Sequence, residues 1–405
     1  EKTAQGNQDG NGKGDFYYTP PTDYLALCTD NLSDPEIALP GDNFNTLLYT
    51  GDGNDNRAVT GVGFSPGLLW LKKRSGTGNN KLYGVVPGVG SSGQILRMTA
   101  NGTTVVQDTT DEVDSLDSDG FTIDSGGGDN ADTATYVAWN WKAGGAPTVD
   151  NSAGAGATPT AGSVKIDGAN LGSALAGTIA ATRLSANTTA GFSTVTYTGT
   201  YVDSATVAHG LSQALDLLII KDTSDARNWN AYSSYISSSW DKTLYLNLTN
   251  AAGTYGGLSD AAPSATVFTL GQADETNNSG ETYVAYCFHS VEGYSKVGSY
   301  AGNGNADGAF IYTGFKPSWL LIKEYTAGTG EGWIMMNNKM NPYNVIDDTL
   351  YANTTAAESS GSHVNKDFVS NGFKLRNSDN QDNGSGRSYI YLAFAESPFK
   401  YSNAR

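Results

Sequence analysis

Most of the residues that usually carry chemistry are scarce in this chain. Its 405 residues include two cysteines and three histidines. Cys28 and Cys287 lie in different segments, and in two related segments Asn140 and Ala395 stand where Cys287 does. The sequence therefore predicts two unpaired thiols acting as small apolar residues. His209, His289 and His363 fall at unrelated places without metal-ligand spacing, which argues against a zinc site or a histidine-based triad. Positive charge is also short: 24 Lys and Arg against 41 Asp and Glu give a net charge of −17, and no basic run extends beyond Lys72-Lys73-Arg74. A phosphate backbone would be repelled over most of such a surface, so no nucleic-acid partner is expected. No apolar run reaches the length of a membrane span, and neither a secretory signal nor a lipidation motif is present, so no membrane insertion is expected. Helical periodicity with caps is almost missing.

What the chain has instead is glycine, 50 residues of it, with 23 tyrosines against 13 phenylalanines and abundant Thr, Ser, Asn and Asp between short apolar runs. Glycine and Asx residues supply the positive φ and the side-chain-to-backbone bonds that turns need, so the composition describes many short strands. Those strands recur. Phe64-Ser-Pro-Gly-Leu-Leu-Trp-Leu-Lys72 returns as Leu211 to Lys221 and as Phe315-Lys-Pro-Ser-Trp-Leu-Leu-Ile-Lys323. Each copy is a turn leading into nearly continuous apolar residues stopped by lysine, the pattern of a strand buried on both faces.

Other landmarks keep their distance from the lysine, which is the test of a true repeat. Tyr49-Thr-Gly51, Tyr197-Thr-Gly199 and Tyr300-Ala-Gly302 precede it by 23, 24 and 23 residues, and Phe121, Phe268 and Phe373 follow it by 49, 47 and 50. A closing strand ends each copy: Tyr136-Val-Ala-Trp139, Tyr283-Val-Ala-Tyr286 and Tyr391-Leu-Ala-Phe394. Alternation puts Val137, Trp139 and Trp141 on a bulky face meant for core, and Tyr136 and Ala138 on a face small enough to meet a second layer. The expected fold class is all-β, with three tandem antiparallel β-sandwich repeats of jelly-roll or lectin-like type. The boundaries read as an extended arm over 1–43, repeats over 44–145, 192–294 and 295–405, and a Gly/Ala/Thr-rich linker over 146–191. The apolar half of that linker, Ser163 to Leu184, is expected to dock as a hairpin or helical turn on a neighbouring subunit. The apolar part of the arm is expected to pack on the first repeat or on a further domain.

Candidate sites are few. Trp70, Trp139 and Trp141 sit in strand patterns and read as core. Trp229, Trp240 and Trp333 follow the lysine landmark where the copies differ most, so they are the candidates for an exposed platform contacting a glycan or a partner. Asp117 and Asp119 have the spacing of a calcium loop, without the EF-hand pattern and without matching acids in the sister copies. No catalytic residue and no cofactor is singled out, and structural calcium is the one metal candidate.

Several pieces resemble repeated β-domains of tailed-bacteriophage virion proteins, marine and cyanobacterial ones above all. They are Gly61-Val-Gly-Phe-Ser-Pro66, Ser118-Asp-Gly-Phe121, Tyr136 through Pro147, Ser163-Val-Lys-Ile-Asp-Gly168, Tyr283-Val-Ala-Tyr-Cys-Phe288 and Gly293 through Tyr300. The opening Lys2-Thr-Ala-Gln-Gly-Asn-Gln-Asp9 with Tyr24-Leu-Ala-Leu-Cys28 looks like the junction that follows a SPRY or concanavalin-like domain in such proteins. The resemblance implies a non-enzymatic virion structural protein on the exterior of a particle, as a tail fibre, appendage or capsid-surface component. Implied with it are a spacer role, other virion proteins as partners, a homo-oligomer with a trimer foremost, and contact with a host surface glycan. The alternative reading is a surface-polysaccharide depolymerase, which needs two carboxylates set in a groove.

Overall fold

A computed structural model describes residues 3–327, 330–361 and 363–402. Its strands are short and joined by glycine- and Asx-rich turns, and among the described residues the one α-helix is the four-residue turn Asp274–Asn277. The fold is all-β, as the composition predicts.

The architecture repeats three times. In the first unit five strands are hydrogen-bonded in the order Phe44–Thr50, Thr135–Trp141, Leu68–Lys73, Asn80–Gly84 and Arg97–Thr99. A smaller sheet, Arg57–Thr60, Gly120–Ile123 and Val113–Asp117, covers one face. The third unit repeats both sheets strand for strand, from Ser295–Ala301 to Leu350–Tyr351 and from Phe310–Tyr312 to Lys366–Val369. The second unit has the same plan inside a nine-stranded sheet, with Ala205–Ala208 and Val267–Leu270 as its small sheet.

The closing strand explains the layering. In the first unit Tyr136 and Ala138 join Val59, Phe121 and Ile123 in a core between the two sheets. Tyr283, Ala285 and Cys287 do the same in the second unit, and Tyr389, Tyr391 and Ala393 in the third. The bulky face points the other way. Trp139, Trp141, Tyr286, Phe288, Leu392 and Phe394 meet in one cluster to which all three large sheets contribute. The molecule is therefore three two-layer units packed back to back around a common aromatic centre, rather than three independent sandwiches in a row.

Register confirms the landmark lysines. Lys72, Lys221 and Lys323 lie opposite Val137, Val284 and Ile390 of their closing strands. In the third copy this aligns Tyr389 with Tyr136 and Tyr283, so the closing strand sits two residues earlier than the Tyr391 landmark implies. An even shift keeps every side chain on its face, which is why the face assignment survives. The same tyrosines stack on the Tyr-x-Gly tyrosine across the sheet, at 5.0 Å for Tyr49–Tyr136, 5.2 Å for Tyr197–Tyr283 and 5.0 Å for Tyr300–Tyr389. The glycine two residues on is required by a close approach. A Cβ at Gly51, Gly199 or Gly302 would lie 2.1, 2.2 or 2.4 Å from the carbonyl oxygen of Ala131, Asn278 or Gly384.

Two expectations need correction. The insert docks within its own chain: Ala181–Asn187 pairs with Phe192–Thr198 and extends the second large sheet, with Val164–Ile166 beside it in parallel. Val164, Ile179, Ala181 and Leu184 are buried in the second unit's core, so their apolar surface is used there and not on another subunit. The arm, for its part, runs to the third unit: the Lys400 ammonium donates to the Leu32 carbonyl and pairs with Asp34, both at 2.8 Å, while Ile37 enters the common core. Tyr24, Leu25 and Leu27 remain exposed.

Candidate functional site

The three tryptophans singled out for an exposed platform are buried. Trp229, Trp240 and Trp333 are 0, 1 and 2% exposed. Trp229 and Trp333 belong to the common core and Trp240 to the core of the second unit, so none presents a ring face to a sugar. Sequence placed them in a variable stretch; in fact Trp229 opens a strand and Trp333 immediately precedes one, and both are directed at the neighbouring unit. Asp117 accepts hydrogen bonds from Ser115 and Thr122, and Asp119 from the N–H groups of Gly61 and Gly63, which makes both carboxylates turn-forming groups. Among the described residues no three His, Cys, Asp or Glu side chains are grouped to hold a metal ion. His209 is buried, its ring between the Ser264 carbonyl and the Leu211 N–H, and burial lowers its pKa to about 4. Cys28 is exposed and Cys287 buried, and neither is bonded to the other.

The structure assembles instead a ring of seams that sequence reasoning missed. Lys72 of the first unit donates to the Thr354 carbonyl of the third at 3.1 Å, Lys221 of the second to Thr103 of the first at 3.3 Å, and Lys323 of the third to Thr249 of the second at 3.2 Å. Across the sheet from Lys72 and Lys221 lies a second connector, Asn80 and Trp229, and in the third unit Trp333 stands just beyond the Ile322–Ile334 pair. Asn80 donates to the Tyr351 carbonyl at 2.9 Å, the Trp229 indole to Thr99 at 3.0 Å, and the Trp333 indole to Tyr245 at 2.9 Å. Each unit thus reaches the one before it in the same rotational sense, and the first closes the ring on the third. All three lysines are fully buried. Desolvation pulls each ammonium down to a pKa of about 8. The signal that could have found these seams was present: a lysine ending a strand buried on both faces has no water to reach, so its charge must be met by carbonyls.

Charged clusters lie within the units. In the first, Lys81 contacts Glu112 at 2.9 Å and Asp129 at 3.0 Å, while Arg97 donates to the same Oε1 of Glu112. The Tyr83 hydroxyl reaches Asp129 at 2.7 Å and Glu112 at 3.1 Å, and both carboxylates are almost wholly buried. In the second, Asp222 is buried beside Glu281 and Arg227, and burial followed by the hydrogen bond with Glu281 raises it to about 6. In the third, Lys366 and Asp382 form a pair at 2.6 Å with no exposure on either side chain.

A hollow of about 460 Å³ lies between the turn at 65–67, the segment 142–146 and the insert. Its single carboxylate, Asp167, accepts from the Thr188 N–H and hydroxyl. The two carboxylates that flank a hydrolysed glycosidic bond are thus not provided in this hollow.

Residues 39–167 and 165–398 each match the same family model, described as a domain of unknown function, DUF7483. The second match takes in the second and third units together. No curated protein matches the chain, and no solved structure does.

Proposed function

Because the chain belongs to the DUF7483 family of domains of unknown function, we propose a role for it from its own residues: a non-enzymatic structural protein of a virus particle. In this reading it is a tail fibre, appendage or capsid-surface component on the exterior, bonded to other virion proteins and acting as a rigid spacer. One observation carries it, the cyclic seam around a shared aromatic core. Three units that bury their broad apolar faces against each other and interlock by lysine and indole donors resist relative motion, and a spacer has to transmit force without hinging. The acidic surface suits a protein displayed at high density, since like charge opposes aggregation. Self-association as a homotrimer is part of the proposal.

Contact with a host glycan falls to exposed tyrosines rather than to the buried tryptophans. Tyr343, 74% exposed beside Asn341 and Asn344, offers the ring face and amides that such recognition uses. The test is the solution mass of the purified chain combined with an assay for reducing ends on bacterial surface polysaccharide. A trimer without release of reducing ends supports the proposal; a monomer that cleaves polysaccharide overturns it in favour of a depolymerase.

A further inference from the structure

The Lys81, Glu112 and Asp129 cluster has more in it than an ion pair requires. An amine stands within hydrogen-bond distance of two carboxyls, one to receive it and one to move protons, and the Tyr83 hydroxyl contacts both carboxyls, in a place closed to water. Lys81 comes from the strand Asn80–Gly84, Glu112 from the residue before the strand Val113–Asp117, and Asp129 from the loop leading to the closing strand. Their mutual distances are 2.9 Å for Lys81 to Glu112 and 3.0 Å for Lys81 to Asp129. Lys81 also donates to the Gly127 carbonyl at 2.5 Å, which fixes the amine against the loop that carries Asp129.

We propose that Lys81 and Asp129 condense into a side-chain amide, with Glu112 as the proton relay. The neutral amine of Lys81 attacks Cγ of protonated Asp129, and the carbonyl π pair moves onto oxygen. Glu112 accepts the proton released by nitrogen and delivers it to the departing hydroxyl. The C–N bond forms, the C–O bond breaks, one water leaves, and Glu112 returns to its carboxylate form. No oxidant or cofactor enters the balance.

Three features favour this course. Fixing the reacting atoms in contact replaces a bimolecular condensation with an intramolecular one, where effective molarities reach about 10⁵–10⁸ M. Burial favours the neutral form of the Asp129 carboxyl, the form that reacts. The two carboxyls are also driven apart. Burial raises Asp129 toward its protonated form, while at Glu112 the opposing pull of Lys81 and Arg97 overcomes burial and keeps the carboxylate ionised.

The sister units supply internal controls. The backbone carbonyls of Asp129, Thr276 and Asp382 accept the hydroxyls of Tyr49, Tyr197 and Tyr300, each at 2.7 Å, which marks the three as one position. The second unit has no acid there. The third has Asp382 paired with Lys366, and there an amide, Asn377, rather than a carboxylate, donates to Asp382.

The experiment is intact-mass spectrometry of the purified full chain, followed by peptide fragmentation. The expected result is a mass one water below that of the sequence, with a branched peptide joining Lys81 to Asp129 and Lys366 left free. A Glu112→Gln chain that folds, judged by circular dichroism, is expected to retain the water, and an Asp129→Asn chain to lose one ammonia in its place. A wild-type mass equal to that of the sequence overturns the proposal, as does water loss that maps elsewhere. Loss of water from the Glu112→Gln chain overturns the relay role. Mass is read on the single chain, so this outcome is independent of whether the protein trimerises or belongs to a particle.

Discussion

At the scale of the residue, the decisive side chains are those that carry charge or bulk into places without water. Lys72, Lys221 and Lys323 have folded pKa values near 8, below the usual 10.5. Between about pH 8 and 10.5 the unfolded chain therefore binds more protons than the folded one, and stability rises with pH across that window. The buried tyrosines act in the opposite sense. Tyr49, Tyr83, Tyr197, Tyr232 and Tyr300 are held well above 10 by burial, so above pH 10 the unfolded chain ionises first and stability falls. Melting temperature measured from pH 7 to 11 is expected to rise from about pH 8 and turn over near 10; a steady decline across the range contradicts the lysine assignment. Trp319 touches Phe44, Trp139, Trp141 and Phe394, which belong to both the first and third units. Trp319→Ala is expected to cost about 3–5 kcal/mol in a denaturant titration, as a large aromatic truncation at a packed site does. The lysines were legible in the sequence as strand ends. Their bonding partners were not, because a carbonyl 74, 118 or 282 positions away leaves no local trace.

At the scale of the element, the closing strand and the insert show what pattern reading captures and misses. Alternation in Thr135–Trp141 assigned both faces correctly, since period two survives any even register error. It left open whether the bulky face meets its own second layer or another unit. Each closing strand is also anchored by its first tyrosine: Tyr136, Tyr283 and Tyr389 donate to the carbonyls of Gly128, Asp274 and Asn380 at 2.7, 2.6 and 2.7 Å. Tyr283→Phe removes one such bond and is expected to cost about 1 kcal/mol, read as a shift in denaturation midpoint without a change of slope. In the insert, Leu184 is fully buried and Val149 is exposed. Leu184→Ala is expected to cost about 2–5 kcal/mol and Val149→Ala to stay within about 0.5 kcal/mol, a contrast that separates a docked strand from a passive linker. Composition pointed to the linker in the first half of the insert, while the evenly spaced Val, Ile and Leu of the second half signalled docking without naming the surface.

At the scale of the whole molecule, the shared core makes the three units mutually dependent. A unit cut free would expose its face of tryptophan, phenylalanine and leucine to water, at about 25 cal/mol for each Å². Residues 295–402 expressed alone are therefore expected to aggregate or remain unfolded, and the full chain to melt in one calorimetric transition; three separable transitions would show independent units instead. The sequence by itself determined the all-β class, the triplication, the buried lysine strands and the face on which each closing-strand side chain lies. Those depend on local alternation and on spacing, which a linear pattern records in full. The tertiary structure alone decided that the bulky faces meet one another, that Trp229, Trp240 and Trp333 lie inside, and that Lys81, Glu112 and Asp129 converge. Burial and proximity are set by contacts between residues far apart in the chain, and an aromatic-rich strand face satisfies the same alternation rule whether it covers its own sheet or its neighbour's.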